Sequence, residues 1–163
     1  MDKLFQSVAL IHQSDGDRIK LLLNWQADSN WWAFIVAQRL NRESFRESVT
    51  REVAWQLNLD RKTDFLVSNM AQLSMEYVET LADDSHRHVA VAFYHVHLFR
   101  QSAFQTVSRD PSNRWISASE VCDGKTNDGQ TIDPRVVSWI KQMERSSTLA
   151  IRSFFSTLFD LGN

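Results

Sequence analysis

Three features of this sequence predict a mixed α/β (α+β) domain. Alternating and β-branched apolar runs recur between residues 5 and 99, each bounded by turn residues. Between them, Ser44–Leu57 carries Phe45, Val49, Val53 and Leu57 at i, i+4 spacing, the stripe of an amphipathic helix. From Asp133-Pro134 a capped start with proline at the first helical position leads into further apolar helical pattern. The expected architecture is a curved mixed sheet with the 44–57 helix on one side and C-terminal helices on the other.

The elements follow in order. Phe5–Gln13 alternates as a strand, Ser14-Asp15-Gly16-Asp17 is a turn, and Ile19–Gln26 returns as a mostly buried strand. Ala27-Asp28-Ser29-Asn30 turns again, and Trp31–Gln38 is expected as a third strand. Ser44 with Glu47 three residues on forms a capping box at the head of the helix. Strand material lies around Ala71–Val78, Asp83-Asp84-Ser85 breaks the chain, and His88–Phe99 is a strand rich in Val and aromatics. Ala103–Val107 is open between a short helix and a loop, and Asp110–Asn113 turns. A strand around Trp115 runs into a short helix near Glu120-Val121, followed by the polar loop Gly124–Gln130. The last helix shows Val136, Val137, Ile140 and Met143 on one face, and Leu149, Ile151, Phe154, Phe155, Leu158 and Phe159 continue the pattern. Those C-terminal aromatics either cover a sheet face or form a homodimer contact.

Composition narrows the class. The 163 residues suit one domain, with a core at about 4–123 and a helical segment at about 133–161. A net charge of −2 gives no general pull toward nucleic acid or an anionic membrane, and neither is expected as a partner. Cys122 is the single cysteine, so no internal disulfide forms. With no secretory signal at Met1–Phe5 and no apolar run of membrane-spanning length, a cytoplasmic protein is expected.

Residues 37–59 carry the most information. Glu43 is followed eight positions later by Arg51-Glu52-Val53 on the amphipathic helix. This spacing resembles the Nudix box: Gly, five residues, Glu, seven residues, Arg-Glu, an aliphatic, one residue, Glu-Glu, one residue, Gly and an aliphatic. Glu43, Arg51, Glu52, Val53 and Leu59 match, whereas Ala37 stands at the first Gly, Trp55 and Gln56 at the paired glutamates, and Asn58 at the last Gly. Arg42 occupies the glycine position before the acidic residue. The Trp115 strand running into Glu120-Val121 is a second match, so the resemblance spans roughly residues 4–123. It implies an α/β/α sandwich and magnesium-dependent cleavage of a diphosphate linkage.

That chemistry needs hard oxygen ligands for magnesium, which neutralises phosphates and activates water. Residues i and i+4 share a helix face, so Glu52 and position 56 would grip the ion together. Gln56 offers only a neutral carbonyl, and Trp55 replaces another carboxylate with an apolar ring. Glu52 is left as the residual catalytic and metal-binding carboxylate, with Gln56 as a weak ligand. Glu47, Glu76, Glu79, Asp83 and Asp84 are the acids that recruitment would draw on. By the resemblance, Glu43 and Arg51 hold loop and helix together as scaffold.

Four further residues are ligand candidates. Trp55 and Trp31 offer faces for stacking a nucleobase. His95 and His97 share one strand face and either line a pocket or pack as amphipathic rings; a metal chelate would need a third ligand that spacing does not supply. His86 and His88 are expected in a solvated turn. The leading expectation is a Nudix-like domain with weakened magnesium binding and impaired catalysis, binding a nucleoside-diphosphate-type ligand or a partner protein. The alternatives are an active diphosphate hydrolase using Glu52 with a recruited carboxylate, and an interaction domain with no small ligand.

Overall fold

A computed structural model describes residues 2–15 and 18–145 of the chain. In chain order the elements are β1 (Lys3–Asp15), β2 (Arg18–Gln26), β3 (Trp31–Ala33), β4 (Val36–Gln38), α1 (Phe45–Leu57), β5 (Phe65–Val67), β6 (Leu73–Thr80), β7 (His86–Leu98), α2 (Gln101–Arg109), β8 (Asn113–Ser117), α3 (Ala118–Asp123) and α4 (Pro134–Glu144). The fold is of the mixed α/β class that the sequence predicts. The chain forms two compact units, one of Met1–Leu10 with Ile35–Ala103, the other of Ile11–Phe34 with the chain from Phe104 onward. No helix among the described residues is long and apolar enough to cross a membrane.

The first unit is organised around β7 and α1. A hairpin pairs β6 with β7 antiparallel from Leu73↔Phe93 to Thr80↔His86, and β5 pairs the far end of β7 through Leu66↔His97. The first half of β1 pairs antiparallel with β4, Gln6↔Gln38 to Val8↔Val36. Helix α1 begins where the capping box predicts: the Ser44 hydroxyl accepts from the Glu47 N–H, and the Glu47 carboxylate accepts from the Ser44 N–H. Its buried face is Ser48, Val49, Val53 and Leu57, with Phe45 half-buried. Two polar contacts fix the helix. The Ser7 and Ser48 hydroxyls, fully buried, hydrogen-bond at 2.7 Å, and the Arg46 guanidinium donates to the Val67 and Ser68 carbonyls beside β5.

The second unit is built on β2. It pairs antiparallel with the end of β1 (His12↔Leu21), with β3 (Trp25↔Trp32) and with β8 (Leu22↔Trp115). The Trp115 strand leads directly into α3, opened by a capping box of Ser117 and Glu120 and closed by Gly124 at φ +70°. Asp133, buried, caps α4 and pairs with Arg135, while Pro134 stands at the first turn. The buried face of α4 is Val136, Trp139, Ile140 and Met143; Val137 is only half-buried.

Two expectations change, and one that was open is decided. Trp31–Gln38 is two strands, because β3 pairs with β2 and β4 with β1; Ala33, Phe34 and Ile35 are buried consecutively, which alternation does not allow. His86 and His88 belong to β7, since a tight turn over Leu81–Ser85 suffices, held by the Leu81 N–H to Ser85 carbonyl bond. Ala103–Val107 is helical within α2, with Ala103 and Val107 buried one turn apart. Gly16-Asp17, the apolar pattern Leu149–Phe159 and the homodimer contact suggested for it lie outside the described residues.

Because the Ser44 side chain closes the first turn of α1, Ser44→Ala should cost about 1 kcal/mol in chemical denaturation. Val53→Ala, at a site with no solvent exposure, should cost about 2–3 kcal/mol or more through the cavity it leaves. If Ser44→Ala costs more than Val53→Ala, capping and not core packing dominates α1.

Candidate functional site

The candidate site is built from the end of β4, the loop 39–44 and α1, all in the first unit. The loop leaves β4 at Gln38, whose carbonyl accepts from Arg51 at 3.1 Å, and turns back so that the Glu43 N–H reaches the Leu40 carbonyl. Arg42 carries that turn at φ +68°, a left-handed conformation that glycine adopts without cost and an arginine does not. Asn58 ends α1 the same way at φ +53°, its N–H donating to the Ala54 and Trp55 carbonyls. Arg42, directly before the acidic residue, and Asn58, at the last glycine position of the box, thus both hold a left-handed backbone without glycine. Ala37, at the first glycine position, is fully buried within β4.

Arg51 connects the parts. Its Nε donates to Glu43 Oε1 at 2.7 Å and its terminal nitrogens donate to Glu43 Oε2, the Gln38 carbonyl and Glu52 Oε1. The Arg51 hydrogen bond, followed by one from the Leu40 N–H, holds the Glu43 carboxyl below its ordinary value. The same contact with Glu43 raises the Arg51 pKa further. Glu43 and Arg51 are therefore joined as the scaffold reading expects.

Glu52 accepts one hydrogen bond at each carboxylate oxygen. Oε1 accepts from Arg51 at 3.0 Å and Oε2 accepts from the Gln56 side-chain amide at 2.8 Å. An ionised carboxylate only accepts, so Gln56 must turn its NH₂ toward Glu52 and its carbonyl away. Trp55 projects from α1 with 77% of its surface exposed. Magnesium asks for several oxygen donors in octahedral array. Here one carboxylate, already holding two N–H donors, stands beside an amide presenting its nitrogen. Among the described residues no group of three or more His, Cys, Asp or Glu gathers to hold a metal. The residues present do not fit magnesium.

Four of the five acids considered for recruitment have other partners. Glu47 belongs to the capping box, Glu76 pairs with Lys3, Glu79 pairs with Arg87, and Asp83 accepts from Ser85 within the turn. Asp84 occupies that turn at φ +63°, exposed. His95 and His97 stand edge-to-face at 6.2 Å on β7, His95 half-buried and His97 exposed. Trp31, half-buried, pairs with Gln26 in the second unit. Hydrogen bonds thus join Glu43, Arg51, Glu52 and Gln56.

Sequence reading missed Arg39, Arg46 and Arg42. Arg39 lies over the Phe5 ring at 4.1 Å and the Phe45 ring at 5.1 Å. For Arg42 a signal existed, since it stands where the box has glycine.

No family profile matches the sequence, and no curated protein does. Solved structures do. Shewanella oneidensis NrtR is 13% identical with a TM-score of 0.60, over 86% of this chain and 62% of that one, so the chain spans under two thirds of its length. A Nudix hydrolase from M. smegmatis, RenU, is 14% identical with a TM-score of 0.54, over 88% of this chain and 86% of that one. The C. elegans Ap4A hydrolase is 11% identical with a TM-score of 0.56, over 89% of this chain and 98% of that one. The likeness is one of fold.

The lowered Glu43 pKa has a pH consequence. A carboxyl with a lowered folded-state pKa contributes stability that is complete above the ordinary value of 4.5 and lost as pH falls through the lowered value. Melting wild type and Glu43→Gln side by side from about pH 7 to about pH 3 should show wild type more stable at neutral pH and the gap closing in acid. A gap independent of pH would mean that the charge of Glu43 contributes nothing.

Proposed function

We propose that this chain, which has a Nudix-like fold, binds a nucleoside-diphosphate-type ligand without efficient hydrolysis. The observation that supports this reading is the capture of Glu52 between Arg51 and Gln56. Hydrolysis of a phosphoanhydride in this fold would need metal to activate water and to offset phosphate charge. Both roles would fall to the single carboxylate of Glu52, each of whose oxygens already accepts from a guanidinium or an amide. What remains is a fold able to position a ligand, with the Glu43–Arg51 pair fixing the loop. The solved structure named for Ap4A motivates the ligand class by analogy of fold. A second reading, docking of a partner protein through α1, is favoured by the 77% exposure of Trp55, since exposed tryptophans are enriched at interface hot spots.

Phosphate release from a nucleoside-diphosphate panel with Mg²⁺ or Mn²⁺ should stay at background, while at least one nucleotide raises the melting temperature. Metal-dependent turnover that vanishes in Glu52→Gln would overturn the proposal. Trp55→Glu combined with Gln56→Glu should return two carboxylates beside Glu52 and create Mn²⁺ binding detectable by titration. If wild type already binds Mn²⁺ as tightly as that variant, Glu52 is not sequestered.

A further inference from the structure

The loop that carries Glu43 also forms one wall of a groove of about 490 Å³, whose lining includes Lys3, Phe5, Arg39, Asn41, Arg42 and Glu43. Its charge is mainly positive. The one acid among these six is spoken for, because Glu43 accepts from Arg51 and from the Leu40 N–H. Lys3 pairs with Glu76 at 3.3 Å through side chains that are 41% and 58% exposed, a contact too solvated to hold the ammonium against a better anion.

Arg39 is arranged for recognition. Two aromatic rings, Phe5 and Phe45, lie against its guanidinium, and they are set edge-to-face to one another at 6.1 Å. A guanidinium held against ring faces still has N–H donors to offer an acceptor. Among the hydrogen bonds of the described residues none involves the Arg39 side chain. Arg42, exposed, holds a left-handed backbone that a glycine would hold at lower cost. A strained position kept with a long cation, on the rim of a cationic groove, is better accounted for by a bound ligand than by stability.

We propose that this groove is a metal-independent phosphate site, in which Arg39 and Arg42, with Lys3, hold the phosphates of a small phosphorylated ligand directly. Guanidinium groups supply the charge compensation that a magnesium ion would otherwise provide. This deepens the preceding reading of a phosphate-bearing ligand bound without turnover, and it rests on that reading.

The test is calorimetric titration of the whole chain with inorganic pyrophosphate, in EDTA at low salt, with sulfate as the comparison anion. Pyrophosphate should bind and sulfate should bind much more weakly. Arg42→Gly and Arg39→Gln should each weaken pyrophosphate about tenfold, the loss expected for one charge-assisted hydrogen bond. Lys62→Gln, beyond the far end of a helix about 20 Å long, should leave it unchanged. Arg42→Gly also relieves the left-handed strain, so its melting temperature should rise while its affinity falls. A residue kept for structure alone would not separate those signs.

Pyrophosphate binding that ignores both arginine variants would overturn the groove while leaving the non-hydrolytic reading intact. Equal binding of sulfate, or binding of an oligonucleotide but not of pyrophosphate, would also overturn it. Metal-dependent turnover lost in Glu52→Gln would instead defeat the reading beneath it.

Discussion

Everything at the candidate site depends on the Arg51 guanidinium. One planar group with donors in a fixed fork bonds the Glu43 carboxylate twice, the Gln38 carbonyl and Glu52 Oε1. It thereby ties the end of β4, the loop and α1 into one piece. The same guanidinium donates to one Glu52 oxygen, and the Gln56 amide donates to the other. Scaffold and the surroundings of Glu52 therefore share a residue. Glutamate at 56 would repel Glu52 unless a cation lay between them, whereas glutamine donates a hydrogen bond and needs no cation.

The backbone shows a parallel economy. Left-handed conformations occur at Arg42, just before the acidic residue, and at Asn58, where the box has its last glycine. Asparagine tolerates that region through its short polar side chain, so Asn58 is a ready helix terminator. Arginine has no such excuse, which is why Arg42 points to a demand other than folding. The loop keeps its path because Glu43 anchors it through Arg51 and the Leu40 N–H, and that anchor overrides the local preference of the residue at the turn.

Local signals were legible wherever side chains act within a few residues of themselves. The capping box at Ser44 and Glu47, the Asp133-Pro134 helix start and the apolar stripe of α1 all stand as read. The Trp115 strand with its following helix does so too. The Trp31–Gln38 stretch failed because strand periodicity does not say with which partner a strand pairs, and that changes between Ala33 and Val36. The strand read from His88 starts two residues earlier, at His86, because polar residues at a hairpin mouth resemble a turn until the ladder is seen. At the site, the Glu43–Arg51 link was legible from the box spacing. The fork to Gln38, the turned Gln56 amide and the stacking of Arg39 on Phe5 and Phe45 were not.

The sequence by itself determined the fold class, the position and limits of α1, and which carboxylates the box lacks. These follow from periodicity, capping chemistry and residue identity, which are local. Tertiary structure alone decided that Glu52 accepts from both Arg51 and Gln56, that Trp55 faces solvent and that Lys3, Arg39 and Arg42 share one groove. Such outcomes depend on which groups meet across long sequence separation, as when β4 is laid beside β1 and Lys3 comes next to the loop after Gln38. No pattern within a short window encodes that meeting; pairing and packing energies summed over the whole unit do.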